Sequence, residues 1–225
     1  MPGKMTLSPG LAQLNNLESE LQKTLPDGRL LTTPLPLVPE ISLKLFDPAA
    51  LEGPLSNDVA QAVVAEPAYW CFCWASGQVM ARYLLDHPDH VAGKTVVDIG
   101  SGSGVVAVAA ALAGAAQVIA VDIDPVSRRA VADNAGLNQV SIDVYERVPE
   151  GIRVDVLTAA DILYDRDNLV LLPEFRQLAG RVLLADSRVK NLAVEGYRQI
   201  MLAEARTCPD LNEFEEFNQV RIYLA

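Results

Sequence analysis

Leu11, Leu14, Leu17, Leu21 and Leu25 recur at helical spacing behind Ser8-Pro9, which predicts an amphipathic helix that Pro26-Asp27-Gly28 ends in a turn. The following Pro34 to Pro39 segment is expected to run extended, because each proline fixes its own φ and pushes its predecessor out of the helical region. A short helix is expected from Asn57 to Ala65 behind Ser56. A longer one is expected from Phe72 to Asp86, where Val79, Met80, Tyr83 and Leu84 share a face and Pro88 closes the segment.

From Thr95 the pattern changes to short apolar strands alternating with helices. Strands are expected at Thr95 to Ile99, Gln117 to Val121, Val140 to Val144, Val154 to Ala159 and Arg181 to Ala185. Between them lie an alanine-rich helix from Ser103 to Ala113 and a helix from Pro125 to Ala135, which Asp124 caps and Gly136 ends. That alternation implies α/β architecture: a doubly wound, mostly parallel sheet covered on both faces. At the end of the chain, Glu204 to Asp210 and Gln219 to Leu224 read as an antiparallel hairpin joined by the acidic turn Asn212 to Asn218. The N-terminal 1–66 is expected to be a helical and extended segment packing on a core domain that spans 67–225.

Charge narrows the partners. The 225 residues carry 18 basic and 29 acidic side chains, a net charge of −11, which argues against nucleic acid and favours a basic partner. The three cysteines, Cys71, Cys73 and Cys208, form no zinc or redox C-x-x-C spacing and read as free thiols of a reducing compartment. The longest nearly unbroken apolar stretch, Gly104 to Ala116, is shorter than the ~20 residues of a membrane span. Pro and Gln interrupt the sequence after Lys4, so a cytoplasmic location without export is expected. His87 and His90 both fall in the Asp86-His87-Pro88-Asp89-His90 turn, where they read as solvated turn residues rather than as a metal site or a catalytic triad.

The first core strand, Val96-Val97-Asp98-Ile99, runs directly into Gly100-Ser101-Gly102-Ser103-Gly104 and a helix. Glycines here let the backbone turn sharply and let a ligand approach main-chain N–H groups at a helix N-terminus. Asp122 ends the next strand, where an acid can accept hydrogen bonds from both hydroxyls of a ribose. Val105 stands where a dinucleotide loop needs its third glycine, and no Gly-Lys-Ser/Thr ending follows. Asp98 would repel pyrophosphate but attract an α-ammonium, so the loop suits a ligand with a ribose and an amino-acid group. A strand-turn-helix that binds no nucleotide, with a surface Asp122, is the alternative.

These residues resemble motifs I and II of the class I, seven-strand methyltransferases that use S-adenosylmethionine. Two further segments resemble the electron-transfer flavoprotein β-subunit lysine methyltransferase branch and its bacterial relatives. They are Pro67-Ala68-Tyr69-Trp70-Cys71-Phe72-Cys73-Trp74-Ala75-Ser76-Gly77-Gln78 before the first core strand, and Asp161-Ile162-Leu163-Tyr164 after the fourth. Pro36-Leu37-Val38-Pro39-Glu40-Ile41 is similar to that branch's upstream segment, so the resemblance covers most of the chain from about residue 34. It implies a Rossmann-like, seven-stranded fold and S-adenosylmethionine as cofactor. Gly100, Ser101, Gly102 and Gly104 would wrap its methionine part, with Asp98 near the ammonium and Asp122 and Ile123 at the ribose and its surroundings. Trp74, Ser76 and Gly77 would cover the cofactor or touch its polar end, although for Trp70 and Trp74 packing against the N-terminal helix is equally open. The chain departs from the branch in two places. Asp143-Val144-Tyr145-Glu146-Arg147 lacks the acidic-hydrophobic adenine loop, and Asp186-Ser187-Arg188 replaces Asp-Pro-Gly-Arg.

Methyl transfer from a sulfonium is an in-line displacement, so positioning and a dry pocket supply most of the rate. A lysine acceptor must first lose a proton, since its unperturbed pKa is ~10.4. Asp161, which also belongs to the expected cofactor site, would align the amine and help remove that proton, and Tyr164 would form an aromatic wall beside the cation. A helix N-cap is the other reading of Asp161. The expected activity is methylation of lysine in a protein with a basic surface, an electron-transfer flavoprotein subunit among the candidates, without metal, membrane or nucleic acid. Methylation of a small-molecule amine or pyridine, and a non-catalytic cofactor-binding partner, are the competing readings.

Overall fold

The computed structural model describes residues 17–51, 53 and 55–225; the start of the N-terminal helix, with Leu11 and Leu14, lies outside them. The sheet contains β3 (Thr95–Ile99), β4 (Gln117–Val121), β5 (Asp143–Tyr145), β6 (Val154–Ala160), β7 (Ala179–Asp186), β8 (Arg198–Glu204) and β9 (Gln219–Leu224). Its order is β5-β4-β3-β6-β7-β9-β8, with β3 to β7 parallel and β9 antiparallel to both β7 and β8. The chain is thus α/β with a seven-stranded, mostly parallel, Rossmann-like sheet and a C-terminal antiparallel hairpin.

Successive residues of the central strands point to opposite faces, so both faces need apolar side chains. Val96, Val118, Val156 and Leu183 enter one core with Met80, Leu84 and Val108 from α3 (Ala75–Asp86) and α4 (Val105–Leu112). Val97, Ile119, Leu157 and Leu184 enter the other with Leu172 and Phe175 from α6 (Leu171–Leu178). A smaller cluster joins Leu17 and Leu21 of α1 (Leu17–Leu21) to Trp70, Cys71 and Ala130 of α5 (Pro125–Leu137). Among the described residues, no helix is long and apolar enough to cross a membrane.

Before the sheet, β1 (Leu30–Pro34) and β2 (Ser42–Phe46) form a two-stranded antiparallel ribbon that the sequence reading did not anticipate. Leu43 and Leu45 of β2 are fully buried and alternate with partly buried Ser42 and Lys44. Helix α5 locks this strand edge: Asn134 Oδ1 accepts from Lys44 N at 2.8 Å and Asn138 Oδ1 accepts from Ser42 N at 3.0 Å. The proline segment is extended only as far as Pro34. It then turns, with Ile41 N donating to Val38 O at 2.9 Å. Helix α2 (Asn57–Ala65) follows its expected cap, Ser56.

Several boundaries differ for identifiable reasons. Helix α3 starts at Ala75 rather than Phe72, because Cys73 is extended and exchanges two 2.8 Å backbone hydrogen bonds with Cys208. Helix α4 starts at Val105 rather than Ser103, because Gly104 caps it in the left-handed region at φ 84°. Gly136 does not end α5, which continues to Leu137. The first hairpin strand spans 198–204 rather than 204–210, since the chain beyond Ala205 leaves the sheet to reach Cys73. Helix α6 was not anticipated.

Candidate functional site

The parallel register brings four carboxylates to one edge of the sheet. Ile99 lies beside Val121 and Ala159, and Ala160 beside Ala185, so Asp98, Asp122, Asp161 and Asp186 all stand within one residue of strand C-termini, Asp98 just before, Asp186 at, and Asp122 and Asp161 just after. In open parallel sheets this edge, where crossovers diverge, is where ligands bind.

The glycine loop is built from left-handed backbone that glycine adopts freely, and from close packing. Gly100, Gly102 and Gly104 have φ of 67°, 52° and 84°, the left-handed region that side chains resist. A Cβ on Gly100 would lie 2.9 Å from Ile162 Cγ2, and one on Gly104 would lie 3.2 Å from Val131 Cα of α5. Gly102 is different: a Cβ there would meet nothing nearer than 3.9 Å, so its face is open. The loop folds back on Asp122, whose Oδ2 accepts from Gly102 N and Oδ1 from Asp124 N, both at 2.9 Å. A carboxylate has about four acceptor sites, so these two bonds leave capacity for ribose hydroxyls. Arg128 Nη1 donates to Asp122 O and Ile123 O at 2.8 and 2.9 Å, which holds Ile123 out with 83% of its surface exposed.

Asp98 lies beneath the loop, 2% exposed. Thr158 Oγ1 donates to its Oδ1 at 2.8 Å and Ser101 Oγ donates to its main-chain oxygen at 3.0 Å, while Oδ2 has no partner among the described residues. Burial pushes its carboxyl up to about 7, against the hydrogen bonds that lower it, and nearby Asp122 adds to the rise. An orphaned, buried carboxylate oxygen beside an open glycine face fits a ligand that brings an ammonium, as S-adenosylmethionine does. The raised carboxyl makes the folded protein bind its proton more tightly than the unfolded chain. Stability from this group is therefore full below about pH 4 and is lost as pH rises through about 7. Denaturant titrations at pH 5 and pH 8 should show the ligand-free wild type losing roughly 2–4 kcal/mol relative to Asp98→Asn. A constant difference would remove Asp98 as a strained buried acid.

Asp161 follows β6 in the left-handed region, at φ 52°. Its Oδ2 accepts from Ser76 N at 2.9 Å, and its Oδ1 accepts from Ser76 Oγ at 2.6 Å and Ser187 Oγ at 3.2 Å. Asp161 therefore does cap a helix, but in trans: it caps α3, whereas Asp165 caps the short 3₁₀ helix that follows Asp161 in sequence. Burial raises its carboxyl to about 6 despite the Ser76 hydrogen bonds, and neighbouring Asp186 adds to the rise. Asp186 is fully buried and organises the next turn, accepting from Arg188 N and Val189 N at 2.8 and 2.7 Å, which points Ser187 at Asp161.

Aromatic rings line the mouth. Tyr164, 59% exposed, lies 5.5 Å from the Tyr69 ring, and Tyr69 lies 5.8 Å from Trp74, whose Nε1 donates to Tyr69 O at 3.2 Å. Burial, then Tyr69 and Asp122, raise the Tyr164 hydroxyl, so Tyr164 and Asp122 share one field. The two tryptophans separate: Trp70 is core, 3% exposed, whereas Trp74 is half-buried at the mouth. Ser76 meets Asp161, but Gly77 is buried against α4, where a Cβ would lie 2.9 Å from Val105 Cγ1. The sequence reading missed Tyr69, Thr158, Asp186 and Ser187; a hydroxyl or acid at a strand C-terminus was the available signal for the last two.

The remaining candidates lie elsewhere. Burial pushes the Cys71 thiol up to about 12 and raises the Cys73 thiol well above its ordinary value, so neither is a nucleophile. His90 is not simply a solvated turn residue: it bridges Tyr83 OH at 3.0 Å and Arg181 Nη1 at 3.1 Å at the opposite edge of the sheet.

The family described as Ribosomal protein L11 methyltransferase (PrmA) matches residues 79–170. The rat electron transfer flavoprotein beta subunit lysine methyltransferase is 33% identical over 181 residues, covering 76% of this chain and 69% of the relative. Its human counterpart is 34% identical over 157 residues, covering 67% of this chain and 58% of the relative, so part of that protein's length has no match here. The fold is shared with magnesium protoporphyrin IX methyltransferase from Synechocystis, solved with bound S-adenosylmethionine, at a TM-score of 0.51 and 15% identity over 77% of this chain and 85% of that one. On the strength of the glycine loop, the carboxylate edge and these similarities, the chain belongs to the electron transfer flavoprotein beta subunit lysine methyltransferase family of S-adenosylmethionine-dependent enzymes.

Proposed function

We propose that this chain methylates a lysine side chain of a protein, an electron transfer flavoprotein β subunit being the first candidate. The observation that carries the proposal is Asp161, fixed by two serines just after β6, next in sequence to Ile162, which packs on Gly100 of the glycine loop, and three residues before Tyr164 of the tyrosine pair. The proposed cofactor contacts are Asp98, Gly100, Ser101, Gly102 and Gly104 at the methionine end, Asp122 and Ile123 at the ribose end, and Trp74 and Ser76 along the α3 approach, whereas Gly77 serves the packing of α3 on α4. S-adenosylmethionine, when bound, supplies an electrophilic methyl group on a sulfonium.

Everything else is asked of the chain's own groups. Asp161 attracts the lysine ammonium, and its carboxylate, raised to about 6, is a stronger proton acceptor than an ordinary aspartate. The proton passes from Nζ to Asp161 or onward to water, which frees the amine lone pair. Tyr164 excludes water on one side and offers its ring to the cation. The net charge of −11 suits a substrate whose lysine sits in a basic surface.

The purified chain should transfer label from methyl-labelled S-adenosylmethionine to recombinant electron transfer flavoprotein β subunit, with the methyl groups on lysine by mass spectrometry. Label only in a small-molecule fraction of a cell extract, or cofactor binding without transfer, would overturn the proposal. Asp122→Ala should weaken S-adenosylmethionine binding by about 1–3 kcal/mol, the scale of lost charge-assisted hydrogen bonds. Unchanged affinity by calorimetry would remove Asp122 from the ribose end.

A further inference from the structure

We propose that Tyr69 is a specificity-determining residue: its ring and that of Tyr164, in contact with each other, form one aromatic wall along which the acceptor lysine enters, an inference that rests on the lysine reading above. Tyr69 opens the 3₁₀ turn Tyr69–Cys71, before α3, and its ring spans a gap between two segments distant in sequence. On one side it lies 5.5 Å from Tyr164 at an interplanar angle of 46°, and on the other 5.8 Å from Trp74 at 61°. Both neighbours lead to Asp161. Tyr164 is three residues beyond it, and Trp74 is the N-cap of the helix whose Ser76 holds its carboxylate.

Tyr69 is 44% exposed and Tyr164 59%, which leaves apolar ring faces open in the segments that flank the partly buried Asp161. The tilted pair forms a wedge rather than a stack. A lysine suits such a wedge, because its methylene stem covers the ring faces while its cationic head meets the π-electrons on the way to Asp161. Trp74 Nε1 bonds Tyr69 O at 3.2 Å, so the main chain that carries the Tyr69 ring is held in place before any substrate arrives. The hydroxyl of Tyr69 is not required by this arrangement. The ring is.

The test is steady-state methylation of a protein substrate by wild type, Tyr69→Phe, Tyr69→Leu and Tyr69→Ala, with S-adenosylmethionine affinity measured by calorimetry for each. Tyr69→Ala should raise KM for the protein about tenfold or more while cofactor affinity stays within roughly threefold of wild type. Tyr69→Phe, which restores the π-face, should recover most of that loss, and Tyr69→Leu, which restores only apolar bulk, should not. Unchanged KM in Tyr69→Ala, or equal rescue by Leu and Phe, would overturn the aromatic wall. Loss of cofactor affinity in parallel with KM would also overturn it, by making Tyr69 a prop for Trp74. If wild type itself labels no protein, the lysine reading fails instead, and the two failures are thereby told apart.

Discussion

Asp161→Asn is expected to bind S-adenosylmethionine with near wild-type affinity and to transfer its methyl group about 10²-fold more slowly, or worse. The backbone will accept the change, because asparagine tolerates the left-handed region at least as well as aspartate and φ here is 52°. The hydrogen bonds are largely recoverable as well. The amide oxygen can take the Ser76 N–H, while the Ser76 hydroxyl, which donates to Asp161 Oδ1 at 2.6 Å, can rotate and accept from the new NH₂. Helix α3 therefore keeps its cap, and the loss of stability should stay near 1 kcal/mol. What disappears is the negative charge that draws the ammonium and the base that can hold its proton. The same charge predicts an acid limb: with the carboxyl raised to about 6 by burial, single-turnover transfer should fall as pH drops through about 6, and Asp161→Asn should lack that limb. Transfer at wild-type rate by the folded variant would leave Asp161 as nothing more than the trans cap of α3.

That dual position shows where sequence reasoning stops. Strands β3 and β4 were legible to the residue, because strands buried on both faces read as continuous apolar runs and glycines punctuate them. Ser56 and Asp124 were legible as caps because each acts on the turn that follows it. Asp161 acts on Ser76, distant in sequence, so its capping role was invisible although its position at a strand end was not. Strand β2 did carry a signal, since Leu43 and Leu45 alternate with Ser42 and Lys44, but the prolines before it directed attention to an extended linker. Helix α6 is disguised by Pro173 in its first turn, where proline is tolerated, with Leu172 and Phe175 three apart on the buried face. Tyr69 was hidden for the opposite reason. An exposed aromatic in a short turn has no periodicity to betray it, and its meaning comes from Tyr164, which only the fold brings to within 5.5 Å.

The glycine loop offers the second large effect, through a contrast between two substitutions. Gly102→Ala and Gly104→Ala force an alanine into the left-handed region, at φ 52° and 84°, and each should incur about 1–2 kcal/mol of backbone strain. Their surroundings differ. The new methyl at position 104 meets Val131 Cα at 3.2 Å and both Val131 γ carbons at 3.3 Å, so α4 and α5 must move apart and total destabilisation should reach roughly 2–4 kcal/mol. At position 102 the methyl meets nothing nearer than 3.9 Å, so strain is the whole cost to the ligand-free protein. That open face is where a cofactor would lie against the Gly102 N–H, which already reaches Asp122 Oδ2 at 2.9 Å. A methyl placed there competes for the ligand's own space. Gly102→Ala should accordingly be the more stable variant and still lose S-adenosylmethionine affinity by about 10²-fold or more, while Gly104→Ala loses stability first. Thermal melts with and without cofactor separate the two, since ligand stabilisation follows RT ln(1 + [L]/Kd) and should vanish for Gly102→Ala at cofactor concentrations that shift the wild type. A full ligand-induced shift in Gly102→Ala would mean that the cofactor does not lie on the glycine loop, and Asp98 would then need another partner for its orphaned oxygen.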